Sequence, residues 1–212
     1  MTAPTGADGD LVRVARSPGN VLSLTFDDGP HPQNTPALLR VLEKHSVTAV
    51  FFVCGTNVAE HPEIVRDIAA RGHVLGNHTM HHDDLETWPA DRIAADLRAT
   101  NALVEAAVPG ASVPFFRAPY LHWGDSRQVA HDLGMRRVDC RFHVADWEPQ
   151  TAEALFERLV AGAEPGAVVL LHDGGGDRMP TVDAVDRFVP EMRSRGWEFD
   201  LPGGDRATVK GR

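Results

Sequence analysis

The chain has 212 residues, 42% hydrophobic and 24% charged, with a formal net charge of -9, enough for one large domain or two small ones around a substantial core. A mean hydropathy of -0.24 with ordinary charge content excludes a disordered chain, and the longest apolar stretch, residues 47–53 interrupted by Thr48, is far short of a membrane span. The acidic balance argues against nucleic acid held through its phosphates, so neither a membrane nor a nucleic-acid partner is expected.

Residues 1–10 are rich in Gly, Ala, Pro and Thr and carry neither a basic n-region nor an apolar h-region. The expectation is no secretory signal and a cytoplasmic location, with residues 1–18 a flexible tail. Beyond it, short apolar runs at 21–26, 49–53, 73–76, 113–116, 137–140, 167–171 and 197–201 predict strands. Helical periodicity fills the gaps at 36–45, 61–71, 89–107, 126–133, 151–163 and 181–195. Pro36, Pro62 and Pro89 stand at helix starts, and Gly72, Gly134 and Gly196 at helix ends. Unbroken β/α alternation predicts an α/β fold with a parallel sheet, either an open doubly wound sheet or a small barrel. One domain is read at 19–202, followed by a tail at 203–212. Cys54 and Cys140 each adjoin an apolar run and read as two separate core thiols, not a disulfide.

The reactive residues gather at strand ends. Asp27 and Asp28 end the first strand, and His78, His81 and His82 follow the third. Arg117 and Tyr120 follow the fourth, Asp146 and Trp147 the fifth, and His172 and Asp173 end the sixth. The carboxyl ends of parallel strands form the catalytic face of barrels and open sheets alike. His78 and His82 have the spacing that puts two imidazoles on one side of a helical turn, and His81 competes for the same partner. Asp27 and Asp28 supply an anionic ligand, so that two imidazoles and one carboxylate leave positions open for water and substrate. Adjacent residues leaving a strand point apart, which frees the second carboxylate as a base.

Taken in order, Thr25-Phe26-Asp27-Asp28-Gly29-Pro30, Gly76-Asn77-His78-Thr79-Met80-His81-His82, Arg117-Ala118-Pro119-Tyr120, Asp146-Trp147 and Leu170-Leu171-His172-Asp173 resemble the polysaccharide deacetylases. This is the NodB homology domain, carbohydrate esterase family four. In size and motifs the chain is most similar to the compact chitooligosaccharide deacetylases. The resemblance implies a distorted (β/α) barrel of about seven strands and hydrolytic removal of acetyl groups from amino sugars. It implies that Asp28, His78 and His82 bind a divalent metal, zinc first, with cobalt, nickel or manganese as substitutes. Asp27 would be the general base held by Arg117, and His172 the general acid tuned by Asp146. Trp147 would form a wall, Leu170 the acetyl-methyl pocket, and the Tyr120 N–H part of the oxyanion site. Asp146 would favour the imidazolium of His172 needed for donation.

The pattern departs from the family at the rim. His143 replaces an aspartate frequent three residues before Asp146, and Leu121, His122 and Trp123 follow Tyr120 in place of a common glycine. Trp123 is a candidate for stacking on a sugar, and His31, just past the Asp27–Asp28 turn, for lining the cleft. An oligosaccharide or small-molecule substrate is expected. An O-acetyl ester hydrolase, a deacetylase of a sugar-bearing secondary metabolite, and a non-catalytic sugar-binding module are the alternatives.

Overall fold

β1 (Val21–Asp27) is buried along its whole length, as a parallel strand covered on both faces must be. Leu22, Leu24 and Phe26 join the large apolar cluster beneath the helices, and Ser23, Thr25 and Asp27 take the opposite face. The same alternation runs through β2 (Val50–Val53). Phe51 and Val53 point to the helices, while Val50 and Phe52 meet Phe115, Val138 and Val168 in a separate inner cluster.

The computed structural model describes residues 11–203. After β1 come α1 (Asn34–Lys44), β2, α2 (Gly55–Glu60), α3 (Pro62–Ala70), β3 (Val74–Asn77), α4 (Ala90–Ala107) and β4 (Phe115–Phe116). They are followed by α5 (Ser126–Asp132), β5 (Arg136–Arg137), β6 (Phe142–His143), α6 (Ala152–Gly162), β7 (Val168–His172), α7 (Met179–Ser194) and β8 (Glu198–Phe199). The strands run parallel in the order β5-β4-β3-β2-β1-β7-β6, with β8 added to β1 at Val21 and Leu22. The result is a single domain with a curled half-barrel sheet wrapped by helices, the barrel alternative of the two read from the sequence. In the register of the central strands, Asp27 of β1 pairs with His172 of β7, so the first and last reactive positions lie side by side.

Two expectations are corrected. The apolar run at 137–140 is not one strand. The chain leaves the sheet after Arg137, and Val138 bridges Val12 instead, before β6 begins at Phe142. Nor are residues 11–18 a free tail. Val12, Val14 and Ala15 are buried and bridge Val138, Ala167 and Pro202. Arg13 donates to Asp139 at 2.8 Å. This segment bridges the residue after β5 and the residue before β7. The remainder of both expected tails, 1–10 and 204–212, lies outside the described residues. Cys54 and Cys140 are both free, and among the described residues no helix is long and apolar enough to cross a membrane.

Candidate metal centre and catalytic cleft

The cleft opens at the carboxyl ends of the strands as a cavity of about 600 Å³. On one wall Asp27 ends β1, almost fully buried, and Asp28 follows it in a left-handed conformation (φ 71°). Asn57 of α2, a helix not expected from the sequence, donates to the Asp28 carbonyl at 2.7 Å. A Cβ on Gly174 would strike that same carbonyl, which is the close approach the Gly174–Gly176 run permits. His78 and His82 enter from the turn after β3. Asn77 pins this turn by donating to the Leu97 carbonyl and Asn101 (2.9 and 2.8 Å) and accepting from the Thr79 N–H (2.9 Å). The Met80 N–H donates to Asp96 of α4 at 3.0 Å.

The Nδ1 of His78 lies 2.8 Å from the Arg117 carbonyl oxygen. A carbonyl only accepts, so Nδ1 carries the proton and Nε2 is left as a lone-pair donor. The Asp28 Oδ1 is 3.4 Å from His78 Nε2 and 3.3 Å from His82 Nε2, and it is buried without a hydrogen-bond partner. Three ligand atoms from these residues lie within 4.8 Å of one another. An orphaned carboxylate oxygen between two imidazole nitrogens fits a divalent cation. Burial works against charge on Asp28, but the nearness of His78 and the charges of His78, His172 and His82 hold it well below the usual carboxylate range. Burial and His78 lower the pKa of His82, keeping it neutral as a ligand must be. At His78 burial also opposes charge, yet Asp27 and Asp28 outweigh it and raise the pKa, so a proton would compete with a cation for this site. His81, the alternative partner, is exposed and takes no part.

Arg117 is wholly buried. It donates from Nη1 to Asp27 Oδ1 at 2.7 Å and Thr25 Oγ1 at 2.8 Å, and from Nε to the Val138 carbonyl at 3.2 Å. Its guanidinium stacks over Phe52 at 4.3 Å. Arg117 and Asp27 thus form a fully desolvated, hydrogen-bonded ion pair. The other Asp27 oxygen, Oδ2, is 3.9 Å from His78 Nε2.

Across the cleft, His172 Nδ1 is 2.8 Å from Asp146 Oδ1, and its backbone N–H donates to Asp146 Oδ2 at 2.9 Å. Burial disfavours the imidazolium, but the Asp146 hydrogen bond and the Asp146, Asp27 and Asp28 charges prevail and raise the His172 pKa. Leu170, two residues earlier on the same strand face, lines the cavity beside His143 and Trp147. The Trp147 ring sits edge-on to His172 at 5.4 Å and against His143 at 4.8 Å. Tyr120, 61% exposed, closes the opposite rim with its ring 4.6 Å from His82. Asp173 turns away from the cleft to accept from Thr35 at 2.5 Å. Burial, with the nearby Asp28 and Asp27 charges, pushes its pKa up to about 7.

Two expected cleft residues are elsewhere. The His31 Nδ1 accepts from the Gln33 and Asn34 N–H groups, both at 3.2 Å, and so serves the start of α1. Trp123 packs edge-on against Phe116 at 5.9 Å within the apolar cluster under α4 and α5. His122 meets Asp84 at 2.8 Å on the open surface. Leu121, read as a rim residue, lines the cavity, and so does Arg178, which was not expected there. Left-handed backbone at Asp28, Thr79, His82, Tyr120 and Leu121 concentrates strain of about 1–2 kcal/mol per residue on the loops of the site.

Residues 15–138 match the family described as polysaccharide deacetylase. A chitooligosaccharide deacetylase of Rhizobium leguminosarum bv. trifolii is 37% identical over 188 residues, covering 83% of this chain and 87% of its own. The crystal structure of the Bc1960 peptidoglycan N-acetylglucosamine deacetylase is similar with a TM-score of 0.83 and 30% identity, covering 93% of this chain and 94% of that one. A CE4 family pseudoenzyme from Bacillus anthracis is also similar, with a TM-score of 0.79, 27% identity and coverage of 85% and 63%.

Proposed function

Because the chain belongs to the polysaccharide deacetylase family, we propose that it is a metal-dependent hydrolase removing N-acetyl groups from an amino sugar, a short oligosaccharide or a glycoconjugate. The observation that carries this reading is the orphaned Asp28 oxygen between His78 and His82, with a buried Asp27–Arg117 pair beside it and the His172–Asp146 pair facing it.

In this reading Asp28, His78 and His82 hold the cation, and two imidazoles with one carboxylate suit zinc. Bound there, it would polarise the acetamide carbonyl and acidify the attacking water. Asp27 accepts the proton from that water through the carboxylate oxygen that Arg117 leaves free. The Tyr120 N–H helps stabilise the oxyanion. His172 then donates from Nε2 to the sugar nitrogen as the C–N bond breaks, releasing acetate and the amine. Asp146 favours the protonated ring required for this step. Leu170 receives the acetyl methyl group, and Trp147 and Tyr120 flank the sugar.

The test is metal content of the purified protein together with acetate release, before and after chelation, from N-acetylglucosamine oligomers and from acetylated xylan. Bound divalent metal and chelator-sensitive release from the amide substrates are expected. Release from xylan alone would make the protein an O-acetyl esterase. No release from any acetylated sugar, by metal-loaded protein, would place it with the silenced members of its family.

A further inference from the structure

We propose that Thr181 is a positioning residue for the acid of the reaction: its hydroxyl fixes the Asp146 carboxylate so that His172 presents Nε2 to the cleft. The inference rests on the deacetylase reading for the role of His172, but its geometry is independent of it.

The Asp146 side chain has no solvent exposure, so every hydrogen bond it makes comes from the protein. Oδ2 accepts from two donors, the His172 N–H at 2.9 Å and Thr181 Oγ1 at 3.0 Å. Oδ1 remains for His172 Nδ1 at 2.8 Å. With both donors on one oxygen, the carboxylate plane is set and the imidazole has one place to bond. That bond fixes the tautomer, with the proton on Nδ1 when the ring is neutral and Nε2 turned outward.

Thr181 is buried in the first turn of α7. A helical threonine commonly gives its proton to the carbonyl four residues back. Here it gives it to a residue 35 positions earlier in the chain. Arg178, three residues before Thr181, reinforces the arrangement. Its Nη1 donates to the Asp146 carbonyl at 3.3 Å, and its Nε and Nη2 to the Gly174 and Gly175 carbonyls, both at 3.0 Å. The start of α7 thus holds the loop of Asp146 through Arg178 and the carboxylate through Thr181.

Valine and serine separate chemistry from packing, since valine keeps the shape without the donor and serine keeps the donor without the methyl group. In the metal-loaded full chain, Thr181→Val should lower kcat by about tenfold or more with KM and bound metal unchanged, and Thr181→Ser should stay within about threefold of the parent. The opposite order, an active valine variant and an impaired serine variant, would show a packing role and overturn the proposal. Nitrogen-15 NMR of the His172 ring provides a readout apart from turnover. The ring signals should shift in Thr181→Val and be restored in Thr181→Ser, and an unchanged ring in the valine variant overturns the proposal whatever the activity. Thr181→Ala serves in place of valine if that variant does not fold. A parent protein inactive on every acetylated sugar would defeat the deacetylase reading, while the NMR comparison would still decide the role of Thr181.

Discussion

The two walls of the cleft are built on opposite principles. On the wall made by the ends of β1 and β3, Asp28 keeps a buried oxygen uncommitted and two imidazole nitrogens stand 3.3 and 3.4 Å from it. On the wall made by the end of β7 and the loop after β6, both oxygens of Asp146 have partners: a ring nitrogen, a backbone N–H and a hydroxyl. A buried polar atom without a partner is costly in a finished fold, so the first wall is the one that the proposed cation would complete. The second wall is complete as it stands, and its task is to hold one ring at one angle.

That contrast makes the first wall the more fragile under substitution. The largest loss is expected from His78→Ala, which should remove both bound metal and turnover, whereas Asp27→Asn should abolish turnover, by about 10²-fold or more, with metal retained. Metal analysis beside acetate release checks both. A fully active Asp27→Asn protein would end the assignment of Asp27 as base.

On the second wall the loss should be graded and should carry a pH signature. Asp146 raises the pKa of His172, so Asp146→Asn withdraws that support. The ring then loses its proton at lower pH, and the alkaline limb of the rate profile should move downward, with kcat reduced by about 10–10²-fold and metal content intact. An alkaline limb that does not move would remove His172 from the role of acid. The smallest effect on catalysis is expected from Trp123→Ala, because Trp123 packs against Phe116 and not in the cavity. It should cost about 2 kcal/mol of stability by denaturant unfolding and change KM by less than about twofold. A large rise in KM would return Trp123 to the sugar site.

The reactive groups were legible because parallel β/α alternation puts the carboxyl ends of all strands on one face. That periodicity gathered Asp27, Asp28, His78, His81, His82, Arg117 and His172, but the choice of His82 over His81 came from the family resemblance, and Asp146 follows β6 and not the expected strand at 137–140. Thr181 was not legible, since a threonine in a first helical turn looks like any other and its partner is 35 residues away. The break after Arg137 was hidden for a related reason. An apolar run shows that a segment is buried but not which neighbour it pairs with, and at Val138 the neighbour is Val12. Trp123 and His31 were misread because an aromatic or imidazole ring near a cleft has the same signature whether it faces ligand, core or helix end. The left-handed residues around the site, Asp28 and His82 among them, are set by the loops they join and carry no mark in residue type.

The register of β1 and β7 acts as a ruler for the chemistry. Asp27 and His172 are paired positions on adjacent strands, and paired side chains share a face of the sheet. Their backbones are therefore held at the spacing of strands in a sheet, about 4.8 Å, maintained by the ladder itself. The proposed base and acid therefore share a separation set by the strand ladder and not by the loops. A one-residue slip would turn one of them away entirely. What the loops can vary is the surroundings of that pair, while the span between the proposed base and acid stays fixed by the sheet.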